Sequence, residues 1–204
     1  LMGMADRVII ANKLSLSDVG FYNLGFSFGS GVGLIQDSFN KAWVPYLYKK
    51  LTINDEYSKS ELAAFTILYS LMLLIVATII ALLVPFLFLV IDSKYYGAKV
   101  FVMWISFAYA FNGIYKMFTN YIFFSNKTYY LSFITFISGL IEILLVFLLI
   151  NISGLLGAAY AFLLTQIFFC LLTIYYSNKI YKLNYKSGIR IIKINILKIL
   201  NKLL

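Results

Sequence analysis

The sequence contains no histidine, a single cysteine and few charged residues. Without histidine, the chain lacks the commonest general base and the commonest metal ligand of proteins. One cysteine, Cys170, excludes a disulfide bond within the chain. The HExxH, glycine-rich phosphate-loop, nucleophile-elbow and paired CxxC motifs of common enzyme and metal sites are also missing. These absences predict a protein that is not an enzyme and needs no metal or cofactor.

Charged residues make up 12% of the chain and hydrophobic residues 62%, and the mean hydropathy is +0.90. A soluble domain has roughly a quarter of its residues charged, so this composition predicts an integral membrane protein. The hydrophobic runs are long and uniformly apolar, whereas membrane β-strands alternate over about 10 residues. The expected fold class is therefore an all-α, polytopic bundle of transmembrane helices.

Six hydrophobic runs predict membrane helices, because a bilayer core needs about 20 apolar residues per helix. The predicted ranges are 1–12, 19–48, 62–91, 96–124, 128–150 and 154–176, the first being the end of a truncated helix. Residues 1–178 then form one transmembrane lobe with short connections. Residues 179–204 form a basic amphipathic helix that is expected to lie on anionic lipid, the alternative being a docking site for a protein partner.

The chain carries 17 basic and 8 acidic residues, a net charge of +9. In a membrane protein this excess marks the cytoplasmic side and does not indicate nucleic-acid binding. The predicted helices place two groups of lysines on opposite sides: Lys49, Lys50, Lys59, Lys127 and the tail on one, and Lys13, Lys94 and Lys99 on the other. Because the side with more lysines is expected to be cytoplasmic and includes the tail, the C-terminus is predicted to be cytoplasmic.

Glycines recur at every fourth position in the second predicted helix, at Gly25, Gly29 and Gly33, and Asp37 continues the series. Small residues at this interval let the backbones of two helices approach closely. Such a row drifts by about 40° per step around the helix. It therefore predicts close packing against a neighbour that crosses at an angle.

Charges and amides inside the predicted helices are the candidate functional residues, since a charge in hydrocarbon costs at least ~2.5–3.5 kcal/mol. The set comprises Asp6, Asp37, Glu142, Arg7, Lys41, Lys116, Asn112 and Asn120. Asp37 and Lys41 lie one turn apart, within reach of an ion pair along the helix. Either the set lines a polar pathway or its members form interhelical pairs that fix packing, and for the set as a whole we favour the pathway.

Four stretches carry a resemblance to a known family, over roughly residues 6–176. The segment DRVIIANKLSLSDVGFYNLGFSFG, with Asp6, Arg7 and a Val19-Gly20-x-Tyr22 helix start, resembles a recurrent stretch of the polysaccharide-unit flippases. The end of the next helix, with Ala42, Trp43 and Pro45, is also similar to theirs, as are YYGAKVFVMWIS and SGLLGAAYAFLLTQ. These flippases belong to the multidrug/oligosaccharidyl-lipid/polysaccharide exporter superfamily.

The resemblance implies a protein of two six-helix lobes in the bacterial cytoplasmic membrane, of which this chain would be the C-terminal lobe. It implies transport of undecaprenyl-pyrophosphate-linked oligosaccharides to the external leaflet for O-antigen or capsule synthesis, beside polysaccharide polymerase or assembly proteins. On that basis we expect Lys41 and Lys116, with Asn112 and Asn120, to attract the pyrophosphate. Arg7 would serve nearer the exit. Proton or sodium coupling would fall to Asp37, Glu142 and Asp6.

Three other functions compete with this interpretation. A multidrug exporter of the same superfamily would favour a cavity dominated by carboxylates, whereas here acids and bases are balanced. A membrane polysaccharide polymerase or glycosyltransferase would present catalytic residues in a sizeable loop, and all predicted loops are short. A structural membrane subunit would use the intramembrane charges for assembly alone.

Overall fold

The computed structural model describes residues 5–203, with side chains described as far as residue 198. Helix α1 covers Ala5–Lys13, α2 Leu16–Gly29, α3 Gly31–Ile53 and α4 Glu56–Leu87. A 3-10 helix, Ser93–Ala98, leads into α5, Lys99–Phe124, which is followed by α6, Tyr129–Ser153, α7, Leu155–Ile180, and α8, Tyr185–Leu203. This part of the chain has no strand, so the predicted all-α fold is confirmed.

Within residues 5–203, four helical stretches are long and apolar enough to cross a membrane: residues 56–87, 93–124, 129–153 and 155–180. They correspond to the third to sixth predicted runs, with ends shifted by a few residues. The protein is therefore a membrane-embedded polytopic helix bundle. Helices α1, α2 and α3 are shorter or more polar, and residues 1–4 of the first predicted run lie outside the described residues.

The single helix predicted over residues 19–48 is instead two helices, α2 and α3, which meet at Ser30. The backbone of Ser30 stays near helical geometry, with φ −67° and ψ −11°. Glycines stand on both sides of it, and glycine is among the least favourable residues in a helix. The Ser30 hydroxyl also bonds the backbone oxygen of Ser27 at 2.8 Å, which draws it into the preceding turn.

Helix α5 lies at the centre of the bundle, in contact with α2, α3, α4 and α7. One apolar core surrounds its first half and includes Tyr22, Ile105 and Phe162. A second core surrounds its second half and includes Leu73 and Met117. Helix α5 thus contributes to both cores along its length, while some of its side chains, such as Met103 and Phe123, are exposed.

The glycine row packs against α5, as its spacing predicted. A Cβ atom on Gly25, Gly29 or Gly33 would lie 2.6–2.8 Å from side-chain atoms of α5. The three contacted residues are Phe101, Ile105 and Tyr109, which repeat at the same four-residue interval. The two helices therefore run in the same direction in a fixed register.

The two groups of lysines lie at opposite ends of the bundle. The first end holds the α3–α4 and α5–α6 loops, and there the hydroxyl of Tyr181, at the end of α7, bonds Asn54 at 3.2 Å. We call it the tail end, because α8 also packs there against the start of α4. The opposite end holds Lys13, whose ammonium group donates to Asn151 in α6 at 2.7 Å.

Candidate functional site

Polar residues of α5 form a ladder to the neighbouring helices. The Lys116 ammonium group donates a hydrogen bond to the carboxylate of Asp37 in α3. One turn towards the tail end, the Asn120 side-chain amide donates to Asn40 of α3 at 2.9 Å. One turn in the other direction, the Asn112 amide donates to Gln166 of α7 at 3.0 Å. All three predicted residues of α5 are thus in interhelical hydrogen bonds.

The partner of Asp37 differs from the expected one. An ion pair with Lys41 within the same helix was geometrically available, but Asp37 pairs with Lys116, 79 residues further along the chain. The parallel packing of α3 on α5 brings these two side chains together. Lys41 lies one turn nearer the tail end, is exposed, and forms no ion pair with a described residue.

The Asp37–Lys116 pair lies at the outer surface of this chain. The Asp37 side chain is 53% exposed and the Lys116 side chain 31% exposed. The exposed side chains of Ser38 and Lys41 lie beside Asp37 in sequence on α3. A patch of polar and charged groups therefore interrupts the apolar surface of the helix bundle.

Asp6 and Arg7 form a second polar cluster, between α1 and α2. Asp6 is fully buried, and its carboxylate accepts hydrogen bonds from the Tyr22 hydroxyl and from the Arg7 backbone N–H, each at 2.9 Å. The guanidinium group of Arg7 donates to the side-chain oxygen of Asn23 and lies 4.8 Å from the ring centroid of Phe26. Such a cation–π contact is stronger where water is excluded.

Glu142 lies close to this second cluster. It is buried in α6 and interacts electrostatically with the Tyr22 hydroxyl. Lys13 contacts Phe147 and Asn151 near the end of α6, and Ala5 and Val8 line one groove with residues 139–143, so α1 and α6 run in the same direction. Asp6 and Glu142 therefore come to a similar height. Glu142 also lines an apolar groove of about 1060 Å³ between α1, α5, α6 and α7.

Tyr109 of α5 lies between the two polar clusters. Its ring covers Gly33 and packs edge-on against Phe26 at a centroid distance of 5.6 Å. Its hydroxyl interacts electrostatically with Arg7 and Asp6 on one side and with Asp37 on the other. Tyr109 thus stands between the two clusters, and we refer to the clusters and Tyr109 together as the polar band.

The structure adds five residues to the predicted set: Tyr22, Asn23, Asn40, Tyr109 and Gln166. Tyr22 and Gln166 stand within the stretches that resemble the flippases, and Asn40 stands one turn after Asp37. Asn23 follows Tyr22 in the first of these stretches, and Asn40 precedes Lys41; these positions were the only signals for the two amides in the sequence. Tyr109 had no such signal, since many tyrosines occur in apolar runs of this chain.

Gln36 differs from the other buried amides. Its side chain is 1% exposed, and neither amide atom has a hydrogen-bond partner among the described residues. It lies against Gly113 and Leu73, between α3, α4 and α5. A buried amide without partners is destabilising, because it loses its bonds to water.

The turn between α3 and α4 lies outside the membrane-spanning segments, and it contains an acidic residue with a lowered pKa, Asp55. Asn54 ends α3 in a left-handed conformation with φ 53°, and Asp55 caps α4 by accepting a hydrogen bond from the Ser58 N–H at 2.7 Å. Hydrogen bonds from the side chain and backbone of Ser58 lower the pKa of Asp55. The charged form of Asp55 is therefore the one that stabilises the start of α4.

Two proteins of Haemophilus influenzae are similar to this chain. One, named "Uncharacterized membrane protein", is 27% identical over 138 residues, which are 67% of this chain and 34% of that protein. The other, named "Lsg locus putative protein 1", is 25% identical over 150 residues, which are 70% of this chain and 36% of that protein. The chain thus spans about a third of the length of these curated relatives. No family model matches the chain, and no solved structure matches it.

Proposed function

We propose that this chain is the C-terminal lobe of a flippase in the bacterial cytoplasmic membrane. The transported molecule would be an oligosaccharide linked to undecaprenyl pyrophosphate, moved from the cytoplasmic to the external leaflet for surface polysaccharide synthesis. The resemblance of residues 6–176 to polysaccharide-unit flippases motivates the substrate. The observation that carries the proposal is the half-exposed Asp37–Lys116 pair on the surface of a membrane-embedded bundle.

The depth of this pair argues against contact with lipid. Lys116 stands eight residues before the end of α5 at Phe124, which is about 12 Å along the helix. A charge that faces hydrocarbon costs at least ~2.5–3.5 kcal/mol. The surface with Asp37 and Lys116 therefore faces either a wet cavity or another part of the protein. In two-lobed transporters, the substrate route runs between the lobes.

The chemistry of this surface suits an anionic headgroup that enters from the tail end. Lys41 is exposed on the side of the tail end, and Lys116 lies one helical turn deeper in the bundle. A pyrophosphate would compete with Asp37 for the Lys116 ammonium group, because charge-assisted hydrogen bonds to either anion are strong. Asn112 and Asn120 stand one turn on either side of Lys116. Asn112 is partly exposed and would orient the bound group, whereas Asn120 is buried and would hold Asn40 of α3 in place beside it.

The second cluster supports the later part of the route. Tyr109 lies between Asp37 and Arg7. The positive charge of Arg7 would bind the anionic group nearer the exit. Asp6 and Glu142 are buried near Tyr22 and are the candidates for binding a coupling proton or sodium ion. A conformational change that alters the distance between these carboxylates and Arg7 would change their proton affinity.

The lysine distribution supports the orientation. The tail end carries Lys49, Lys50, Lys59, Lys127 and the basic α8, against Lys13, Lys94 and Lys99 at the opposite end. Basic residues near membrane helices remain on the cytoplasmic side during insertion. The C-terminus is then cytoplasmic, and the pyrophosphate approach at Lys41 opens towards the leaflet in which the substrate is made.

The test uses the full-length protein in a bacterial strain without its own O-unit flippase, with surface polysaccharide as the readout. Wild type is expected to restore surface polysaccharide, and Lys41→Gln and Lys116→Gln are expected to reduce it at unchanged membrane levels. Lys127→Gln is the matched control, because this lysine lies in the α5–α6 loop at the same end. If wild type fails with several oligosaccharide types, the flippase proposal is wrong, and drug efflux by the same strain becomes the next assay.

A further inference from the structure

Helix α8 has no part in the proposed route, yet it has a strongly one-sided charge. No acidic residue follows Glu142 in the sequence, whereas residues 179–198 include six basic ones. In α8, Lys186, Arg190 and Lys193 follow one another at intervals of four and three residues, which places them on one helical face. All three are exposed, and none forms an ion pair within the described residues.

The position of α8 is fixed by its contact with α4. A Cβ atom on Gly188 would lie 2.8 Å from the backbone nitrogen of Ala64 and 3.0 Å from the backbone oxygen of Ser60. At the start of α8, the Tyr185 hydroxyl donates to Asn178 of α7 at 2.7 Å. The helix is thus docked at the tail end of the bundle, and its basic face points away from α4, since Lys186 and Arg190 stand about 160° around the helix from Gly188.

Apolar side chains beside the basic face are also exposed. Ile189 is 57% exposed and Ile196 50% exposed, and both lie on the flank between the basic face and α4. A helix that presents basic and apolar side chains together binds at the boundary between headgroups and acyl chains. Charge complementarity selects an anionic occupant for this surface, and the exposed isoleucines favour one that also has acyl chains.

A groove next to α8 suits the acyl chain of such an occupant. It has a volume of about 300 Å³, lies between α4 and α7, and has Tyr185 at its α8 end. Its walls include Ile67, Leu71, Leu171 and Ile174. Leu71 and Leu171 are exposed on membrane-spanning helices and therefore face lipid.

We propose that α8 and this groove bind an anionic phospholipid of the membrane in which the protein lies. The lipid phosphate contacts Lys186 and Arg190, and an acyl chain occupies the groove beneath Tyr185. This interaction is independent of the proposed transport, since it uses none of the residues of the polar band. From the sequence alone, both anionic lipid and a protein partner were possible ligands of this helix, and the proposal chooses the lipid.

The first experiment measures amide hydrogen exchange of residues 185–198 in the full-length protein reconstituted into nanodiscs. One preparation contains phosphatidylcholine alone, and the other contains phosphatidylcholine and phosphatidylglycerol in equal parts. Each basic residue near an anionic surface strengthens binding about fivefold, so three are expected to slow exchange by about a hundredfold in the anionic discs. The triple variant Lys186→Gln, Arg190→Gln, Lys193→Gln is expected to lose this difference.

A matched triple variant, Lys13→Gln, Lys94→Gln, Lys99→Gln, removes the same charge from the opposite end and is expected to keep the difference. The groove is tested separately with Ile174→Trp, which fills it, by measuring how much phosphatidylglycerol copurifies with the protein; a several-fold loss is expected. Equal exchange in both kinds of disc would overturn the proposal. Protection that appears only when membrane proteins of the host are added would instead assign α8 to a protein partner.

Discussion

Gly33 lies directly beneath the ring of Tyr109, so close that a Cβ atom on the glycine would stand 2.8 Å from Cδ1 of the tyrosine. The same relationship joins Gly29 to Ile105 and Gly25 to Phe101 one and two turns earlier. These contacts set the register between α2–α3 and α5. The register in turn decides that Asp37 meets Lys116.

We predict that Gly33→Ala destabilises the protein by about 1–3 kcal/mol, because the added methyl group forces α3 away from Tyr109. The measurement is the thermal unfolding of the full-length protein in detergent. Gly20→Ala is the control, since a Cβ atom on Gly20 meets no atom within 4 Å. Equal loss of stability in both variants would show that the backbone, and not the contact, is responsible.

We predict that exchanging the charges of Asp37 and Lys116 restores the stability of the protein but not its transport activity. Asp37→Asn alone leaves the Lys116 charge without its carboxylate, and the free energy of unfolding is expected to fall. The double variant Asp37→Lys, Lys116→Asp is expected to recover much of that stability, because the pair is rebuilt, while surface polysaccharide stays low. Recovery of both properties would make the pair a packing contact only.

We predict that Gln36→Met stabilises the protein by about 1–3 kcal/mol, because it removes a buried amide without hydrogen-bond partners at nearly constant volume. Gln166→Met is the matched control and is expected to destabilise, since it removes the acceptor of the Asn112 amide. Unfolding by denaturant gives both values. A loss of stability in Gln36→Met would show that this amide is bonded in the membrane, for example to water.

We predict that the start of α4 loosens in acid through Asp55. Its pKa is lower in the folded protein than the usual value near 3.9. The stabilisation is therefore fully present above the unfolded pKa and is lost as the pH falls through the folded pKa. Hydrogen exchange of residues 56–60 should accelerate below about pH 4 relative to Asp55→Asn, which retains a capping oxygen but does not titrate. Identical pH profiles would exclude Asp55 as the source.

The helices were predictable because hydrophobic length and glycine spacing are local properties of the sequence. The runs at 62–91, 96–124, 128–150 and 154–176 correspond to the four spans of the structure, and the glycine row packs closely against a neighbouring helix, α5. The break at Ser30 was missed because a run of glycine and small residues reads equally as a flexible helix or as two helices.

The pairings within the candidate site were less predictable, since they depend on contacts between distant parts of the chain. Asn40 and Asn120 are separated by 80 residues, and Asn112 and Gln166 by 54. A one-turn shift between α3 and α5 would give Asp37 a different partner. The charged residues of the site could therefore be predicted from the sequence. The roles of Tyr22 and Tyr109, and the partners Asn23, Asn40 and Gln166, became clear only from the packing of the helices.

The connection between α6 and α7 has a consequence for how the protein is made. Gly154, with φ +57°, is the only residue between these helices, and Gly157 fits so closely against Leu149 that a Cβ atom would stand 2.1 Å from its backbone oxygen. Two spans joined by one residue must enter the bilayer together as a hairpin. The free-energy cost of placing the Glu142 carboxylate in the membrane is then offset by the insertion of two apolar helices together. Glu142 can therefore enter the membrane without first contacting α1.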